Sequence, residues 1–178
     1  AAGNSNTPQN TLPTGLELVK QIKVDDPRRV CHYKGYTYVG TLGNKVDRVY
    51  ADGEATESFI RLAGYPCGIV AHEDLLYVLK KGDPHEVLVY NLQGHHIHSW
   101  RHEDRYGFIA FIELYGTVNG RALTIINDEV VVIDRSNKTF TVYSLTGEHL
   151  RSIRCEEIAN SKTSLCHTGG DSIVVTNC

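Results

Sequence analysis

Leu123-Thr124-Ile125-Ile126, Asn127-Asp128, Glu129 to Asp134, a polar link Arg135 to Lys138, Phe140-Thr141-Val142-Tyr143, Leu145-Thr146-Gly147-Glu148, and His149 to Arg154 decide the fold. Four short runs rich in β-branched residues alternate with turn residues, and none is long enough for an ordinary helix. This is the pattern of a four-stranded antiparallel sheet whose strands are joined by tight turns.

The same unit occurs twice upstream. Val49-Tyr50 with Gly53 and Val89-Tyr90 with Gly94 match Val142-Tyr143 with Gly147, giving Tyr-to-Tyr steps of 40 and 53 residues. Repeats of that length with strand patterning mean an array in which each sheet hides its apolar face against its neighbour. The sequence therefore predicts an all-β fold, a β-propeller of four-stranded antiparallel blades at about 27–64, 65–100 and 121–154. Pro27 and Pro66 occupy equivalent positions at the start of their blades, where the missing N–H costs no ladder bond.

Gly15 to Lys23 reads as a fourth strand only, and Leu165 to Thr176 as a first and second strand only. A fourth blade, 163–178 with 15–24, would then be split between the two ends of the propeller, which spans 15–178. A four-bladed ring closed in this way is the first expectation, because closure removes open sheet edges. Two chains sharing a larger ring, or an arc of a six-bladed one, are the alternatives. The longer step falls in Arg101 to Gly120, where Phe108 to Ile112 predicts an added strand or lid. Residues 1–14, polar and without period, predict a disordered leader.

A net charge of −3 argues against a generic nucleic-acid binder. No apolar run approaches the length of a membrane span, and no secretory leader is visible. Five cysteines with no Cys-x-x-Cys spacing predict reduced thiols rather than a disulfide framework or an ordinary zinc site, hence a cytoplasmic setting. Asn137-Lys138-Thr139 has the pattern of a glycan acceptor, relevant only to a secreted chain.

Tyr65-Pro66-Cys67-Gly68-Ile69 followed by Leu76-Tyr77-Val78, and Asp134 to Asn137 followed by Val142-Tyr143 and Gly147, resemble the NHL repeat. The match is motif by motif only in the second and third blades. Blade 1 has Asn44 without its aspartate, and blade 2 carries Lys80-Lys81-Gly82-Asp83 instead. The resemblance implies a propeller used as a binding platform, as at the C-terminus of tripartite-motif ubiquitin ligases, where it engages proteins or RNA hairpins. Other propellers of similar pattern are enzymes, such as the peptide-amidating lyase with its axial zinc histidines.

In a blade, the second-to-third loops and the interblade links share one face, and here they collect most of the basic residues. Loops on a rigid scaffold carry function, so Arg28, Arg29, Tyr65, Lys80, Lys81, Arg135 and Lys138 are the candidate contacts. The expected activity is non-enzymatic recognition of a protein or peptide, with no cofactor. The alternatives are RNA stem-loop binding by the same face, or a metal-dependent lyase or hydrolase; a homodimer completing the ring is a further expectation. For metal, His96 and His98 alternate along one strand and are expected on one side of it. His32 and His167 occupy matching first-strand positions, each beside a cysteine (Cys31, Cys166), a pairing suited to a metal or an activated thiolate. Packing explains these histidines more simply, so no metal site is assigned.

Overall fold

The computed structural model describes residues 21–50, 56–82, 84–102, 123–134, 138–156, 163–167 and 173–177. Every regular element among them is a β-strand. Blade 1 is built from β1 (Pro27–Tyr33), β2 (Tyr36–Thr41), β3 (Lys45–Tyr50) and β4 (Thr56–Arg61). Blade 2 follows as β5 (Pro66–His72), β6 (Leu75–Lys80), β7 (Glu86–Asn91) and β8 (His96–Arg101). Blade 3 comprises β9 (Leu123–Ile126), β10 (Glu129–Asp134), β11 (Thr139–Ser144) and β12 (His149–Arg154). A two-stranded sheet of β13 (Thr163–His167) and β14 (Ile173–Asn177) begins the fourth. Each sheet runs in chain order and is antiparallel throughout. First strands neighbour one another in space, β1 beside β5, β5 beside β9, and β9 beside β13.

Two-residue turns join the first and second strands of blades 1 to 3: Lys34-Gly35, Glu73-Asp74 and Asn127-Asp128. All six residues have positive φ, from 46° to 80°, the left-handed pair that matches strand twist in a tight hairpin. Five of the six are not glycine, yet no longer loop would keep Tyr33 opposite Tyr36, His72 opposite Leu75 and Ile126 opposite Glu129.

Two apolar clusters fill the boundaries between blades. Tyr38, Val46 and Ile60 of blade 1 meet Ile69, Leu76, Val78 and Tyr90 of blade 2. Tyr77, Leu79, Val87 and Val89 of blade 2 then meet Leu123, Ile125, Val130, Val132 and Tyr143 of blade 3. Each middle strand feeds both clusters because alternate residues face opposite sides. At the innermost contact the chains approach closely: a Cβ on Gly68 would lie 2.8 Å from the Leu123 Cβ. The face of a blade toward its predecessor is termed leading here, and the other trailing.

Pairing corrects one part of the repeat alignment. Tyr36 pairs with Tyr50, Leu75 with Asn91, and Glu129 with Ser144. Val49, not Tyr50, is therefore the equivalent of Tyr90 and Tyr143. The second-to-third loop is two residues shorter in blade 1 (42–44) than in blade 2 (81–85), and a one-residue slip against the motif sends a side chain to the other face. Tyr50 accordingly lies on the trailing side, its ring 5.5 Å from that of Tyr36 and 5.6 Å from the Arg48 guanidinium.

The leading face of blade 1 differs from its counterparts. Blade 2 presents Ile69, Ala71, Leu76, Val78, Leu88 and Tyr90 there; blade 3 presents Leu123, Ile125, Val130, Val132, Thr141 and Tyr143. The equivalent positions of blade 1 are Val30, His32, Thr37, Val39, Asp47 and Val49. Ile69 and Leu123 are buried, but Val30 is 68% exposed. Gln21–Val24, the described end of the expected N-terminal strand, has no regular structure and lies along this flank. Among the described residues β14 pairs only with β13. The leader, residues 15–20 of the expected closing strand, and the expected insertion with Phe108 to Ile112 lie outside the described residues.

Candidate functional site

Gln21–Val24 and the leading face of blade 1 enclose a cleft of about 870 Å³. Its walls are apolar, from Ile22, Val24, Pro27, Val30, Val39 and Val49, and its charged members are Lys23, Arg28 and Arg29. No carboxylate is among its described lining residues. Ile22 and Val30 remain open to solvent at 40% and 68%, an apolar surface that no other described element covers. Concave, apolar sites with a few convergent polar groups are what ligand-binding clefts look like.

The two arginines have different roles. Arg28 is exposed, while half-buried Arg29 donates from Nε to the Cys67 carbonyl at 2.6 Å. That bond ties the first strand of blade 1 to the start of the first strand of blade 2, two residues from Tyr65. Lys81 lies 5.5 Å from the centre of the Tyr65 ring, and its amide N–H donates to the Tyr65 carbonyl at 2.9 Å. Arg28, Arg29, Tyr65 and Lys81 thus belong to one strip across the link ends of blades 1 and 2.

Other candidates stand elsewhere. Lys80 is the last residue of β6, 8% exposed, with Nζ 2.5 Å from the Glu86 carboxylate. Its charge is answered inside the sheet and is not offered to a partner. Lys138 has its ammonium 3.4 Å from Glu156, on blade 3. Arg135 lies outside the described residues.

The histidine pair of β8 is separated by a β-bulge. His96 pairs with Tyr90 and His98 with Val89, so the strand carries one extra residue between them. The His96 ring packs against Tyr90, part of the boundary with blade 1. His98 stacks on Trp100 and shares a hydrogen bond with the Leu145 carbonyl of blade 3 at 3.3 Å. The two rings therefore serve opposite faces and share no ion, contrary to simple alternation. Cys31 and His32 also diverge. Cys31 packs at the boundary of blades 1 and 2, whereas exposed His32 shares a hydrogen bond with the Thr37 hydroxyl at 3.1 Å. Burial pushes the Cys31 thiol up, the opposite of what an activated nucleophile needs. The side chains of Cys166 and His167 lie outside the described residues.

At the other ends of the strands, the turns interlock from blade to blade. Lys34 pairs with Asp74, and the Asp74 amide donates to the Tyr33 hydroxyl at 3.3 Å. One blade further on, His72 shares a hydrogen bond with Asp128 at 2.9 Å. Tyr33 and His72 are equivalent residues, as are the turn positions of Asp74 and Asp128. Sequence reading placed Asn127-Asp128 in a turn but matched it to nothing, because the contacts cross between blades.

Three four-stranded sheets and a two-stranded one, stacked side by side through their first strands, define a β-propeller. Solved structures agree on the fold. The chain is similar to apo AztD from Citrobacter koseri with a TM-score of 0.59 at 16% identity, over 79% of this chain and 39% of that one. It matches BamB from Moraxella catarrhalis with a TM-score of 0.51 at 15% identity, over 70% and 35%. Similarity to a chain in a nidogen/laminin complex has a TM-score of 0.56 at 12% identity, over 75% and 49%. The chain spans less than half the length of each of these relatives. No protein-family model matches it, and no curated protein does.

Proposed function

We propose that this propeller is a non-enzymatic binding module that takes an extended acidic–apolar peptide segment of a protein partner along the flank of blade 1. The cleft carries this reading: exposed Val30 and Ile22 supply apolar anchorage, and Lys23 and Arg28 supply positive charge, with Asp25 and Asp26 of the intervening segment outside the lining. Neither cation has an ion pair among the described residues, so each is available to a ligand. Arg29, fixed by the Cys67 carbonyl, is preorganised and loses little freedom on binding. The motif resemblance to NHL repeats supports the same platform role. The nidogen/laminin complex is a case of a similar chain found with a protein partner.

Fluorescence polarisation with labelled peptides alternating Asp or Glu with Leu or Val tests the proposal. Arg28→Glu with Val30→Asp is expected to weaken binding at least tenfold, since each change opposes one class of contact. Binding to structured RNA with a steep salt slope, and none to the peptides, would instead favour phosphate recognition. Peptide affinity indifferent to both substitutions would reject the cleft.

A further inference from the structure

The tight turns of blades 2 and 3 gather donor side chains that the cleft does not use. One donor atom each from His72, Glu73 and Asp128 lies within 4.8 Å of the others, and His72 reaches Asp128 across 56 residues of chain. We propose that these three side chains bind one divalent transition-metal ion of the zinc type, clasping blades 2 and 3 at their turn ends. The site lies on the rim opposite the link strip and does not depend on the peptide reading.

Ligand geometry suits the ion. Zinc holds nitrogen and oxygen donors at about 2.0–2.2 Å, which places them roughly 3–4 Å from one another. The exposed Glu73 and Asp128 carboxylates can close the remaining gap, at most about 1–2 Å, by side-chain rotation. One imidazole with two carboxylates leaves room for water, and the nitrogen favours zinc, nickel or cobalt over calcium and magnesium, which prefer all-oxygen shells.

Charge points the same way. Lys34, the cation nearest in the chain of turns, is taken by Asp74. Among the described residues no lysine or arginine pairs with Glu73 or Asp128, leaving two negative charges beside a single imidazole. Both carboxylates also act on one buried group. The Tyr77 phenol is held protonated first by burial and then by the fields of Glu73 and Asp128, so two charges from different blades converge on one point. An ion bound there uses the Nε2 lone pair, with the ring proton on Nδ1, and replaces the present His72–Asp128 hydrogen bond. No bond to carbon changes and nothing is oxidised.

The test is calorimetric titration of the chelator-stripped full chain with zinc, nickel and calcium. One zinc per chain is expected, with saturable binding lost in His72→Ala and in Asp128→Asn. Glu73→Gln, at an exposed residue with no other hydrogen bond among the described residues, should weaken binding without disturbing the fold, as checked by Trp100 emission. His96→Gln should leave the stoichiometry intact. The proposal is overturned if the parent shows no saturable binding or if calcium binds as tightly as zinc. Stoichiometry that survives His72→Ala, or that disappears with His96→Gln, overturns it equally.

Discussion

Gly147→Ala should destabilise the protein far more than Gly35→Ala, although both glycines sit in tight turns at positive φ. Gly35 has φ +80° and open space where a Cβ would stand. Its substitution therefore carries only the left-handed penalty, about 1 kcal/mol. Gly147 has φ +92°, and a Cβ there would lie 2.6–2.7 Å from three atoms of the Trp100 indole. The indole is hemmed by Tyr77, His98 and Tyr143, so it cannot swing away without disturbing the boundary between blades 2 and 3. Overpacking of that kind costs about 1–3 kcal/mol beyond the backbone term. The total is roughly 2–4 kcal/mol for Gly147→Ala, against about 1 for Gly35→Ala. Trp100 is the sole tryptophan, so its emission reports this boundary directly during urea unfolding. The clash should also shift the native emission of Gly147→Ala and leave that of Gly35→Ala alone. Equal midpoints and unchanged spectra for the two variants would refute the packing assigned to the loop between β11 and β12.

Leu79→Ala, at a fully buried position of the second boundary, should cost about 2–5 kcal/mol in chemical unfolding. Arg48 lies 4.4 Å from the Phe59 ring centre and donates to the Leu92 carbonyl at 3.0 Å; Arg48→Met, read by thermal melting, should lower stability by about 1–3 kcal/mol. Alkylation of Cys31 by iodoacetamide at mildly alkaline pH should be slow in the folded chain and speed up on unfolding, because burial raises the native thiol. A rate equal to that of the denatured chain would contradict that burial. The Arg151 guanidinium holds the Glu129 carboxyl below its ordinary value. The stability this pair adds is present above the unfolded carboxylate range and fades as pH falls through the folded value; the parent and Glu129→Gln should converge there in acid melts.

The strands were legible because their apolar residues alternate with period two and their turns contain Gly, Asn and Asp. Glu129 to Asp134, bounded by Asn127-Asp128 and a polar link, admits no other reading. What escaped depends on register and on contacts between blades. Tyr50 looked equivalent to Tyr90 because both follow valine, but loop length sets the pairing, and the motif carries no record of a two-residue difference. His96 and His98 looked like one side of a strand until a bulge placed them on two. Lys80 read as a loop lysine, whereas it closes β6 and pairs with Glu86 across the hairpin. His72 and Asp128 could have been matched by asking which side chains equivalent turns aim at the next blade. Tyr33 and Asp74 make that same step one blade earlier.

Stacked sheets have no intrinsic stopping rule. A surface that accepts one blade accepts any other of like pattern, and head-to-tail addition between molecules would grow filaments. His32 and Thr37 withdraw that invitation on the first sheet, where a dry, all-hydrocarbon contact would leave an imidazole and a hydroxyl without solvent. Alanine at position 32 and leucine at position 37, the residues that blade 2 carries at these places, should make the chain polymerise.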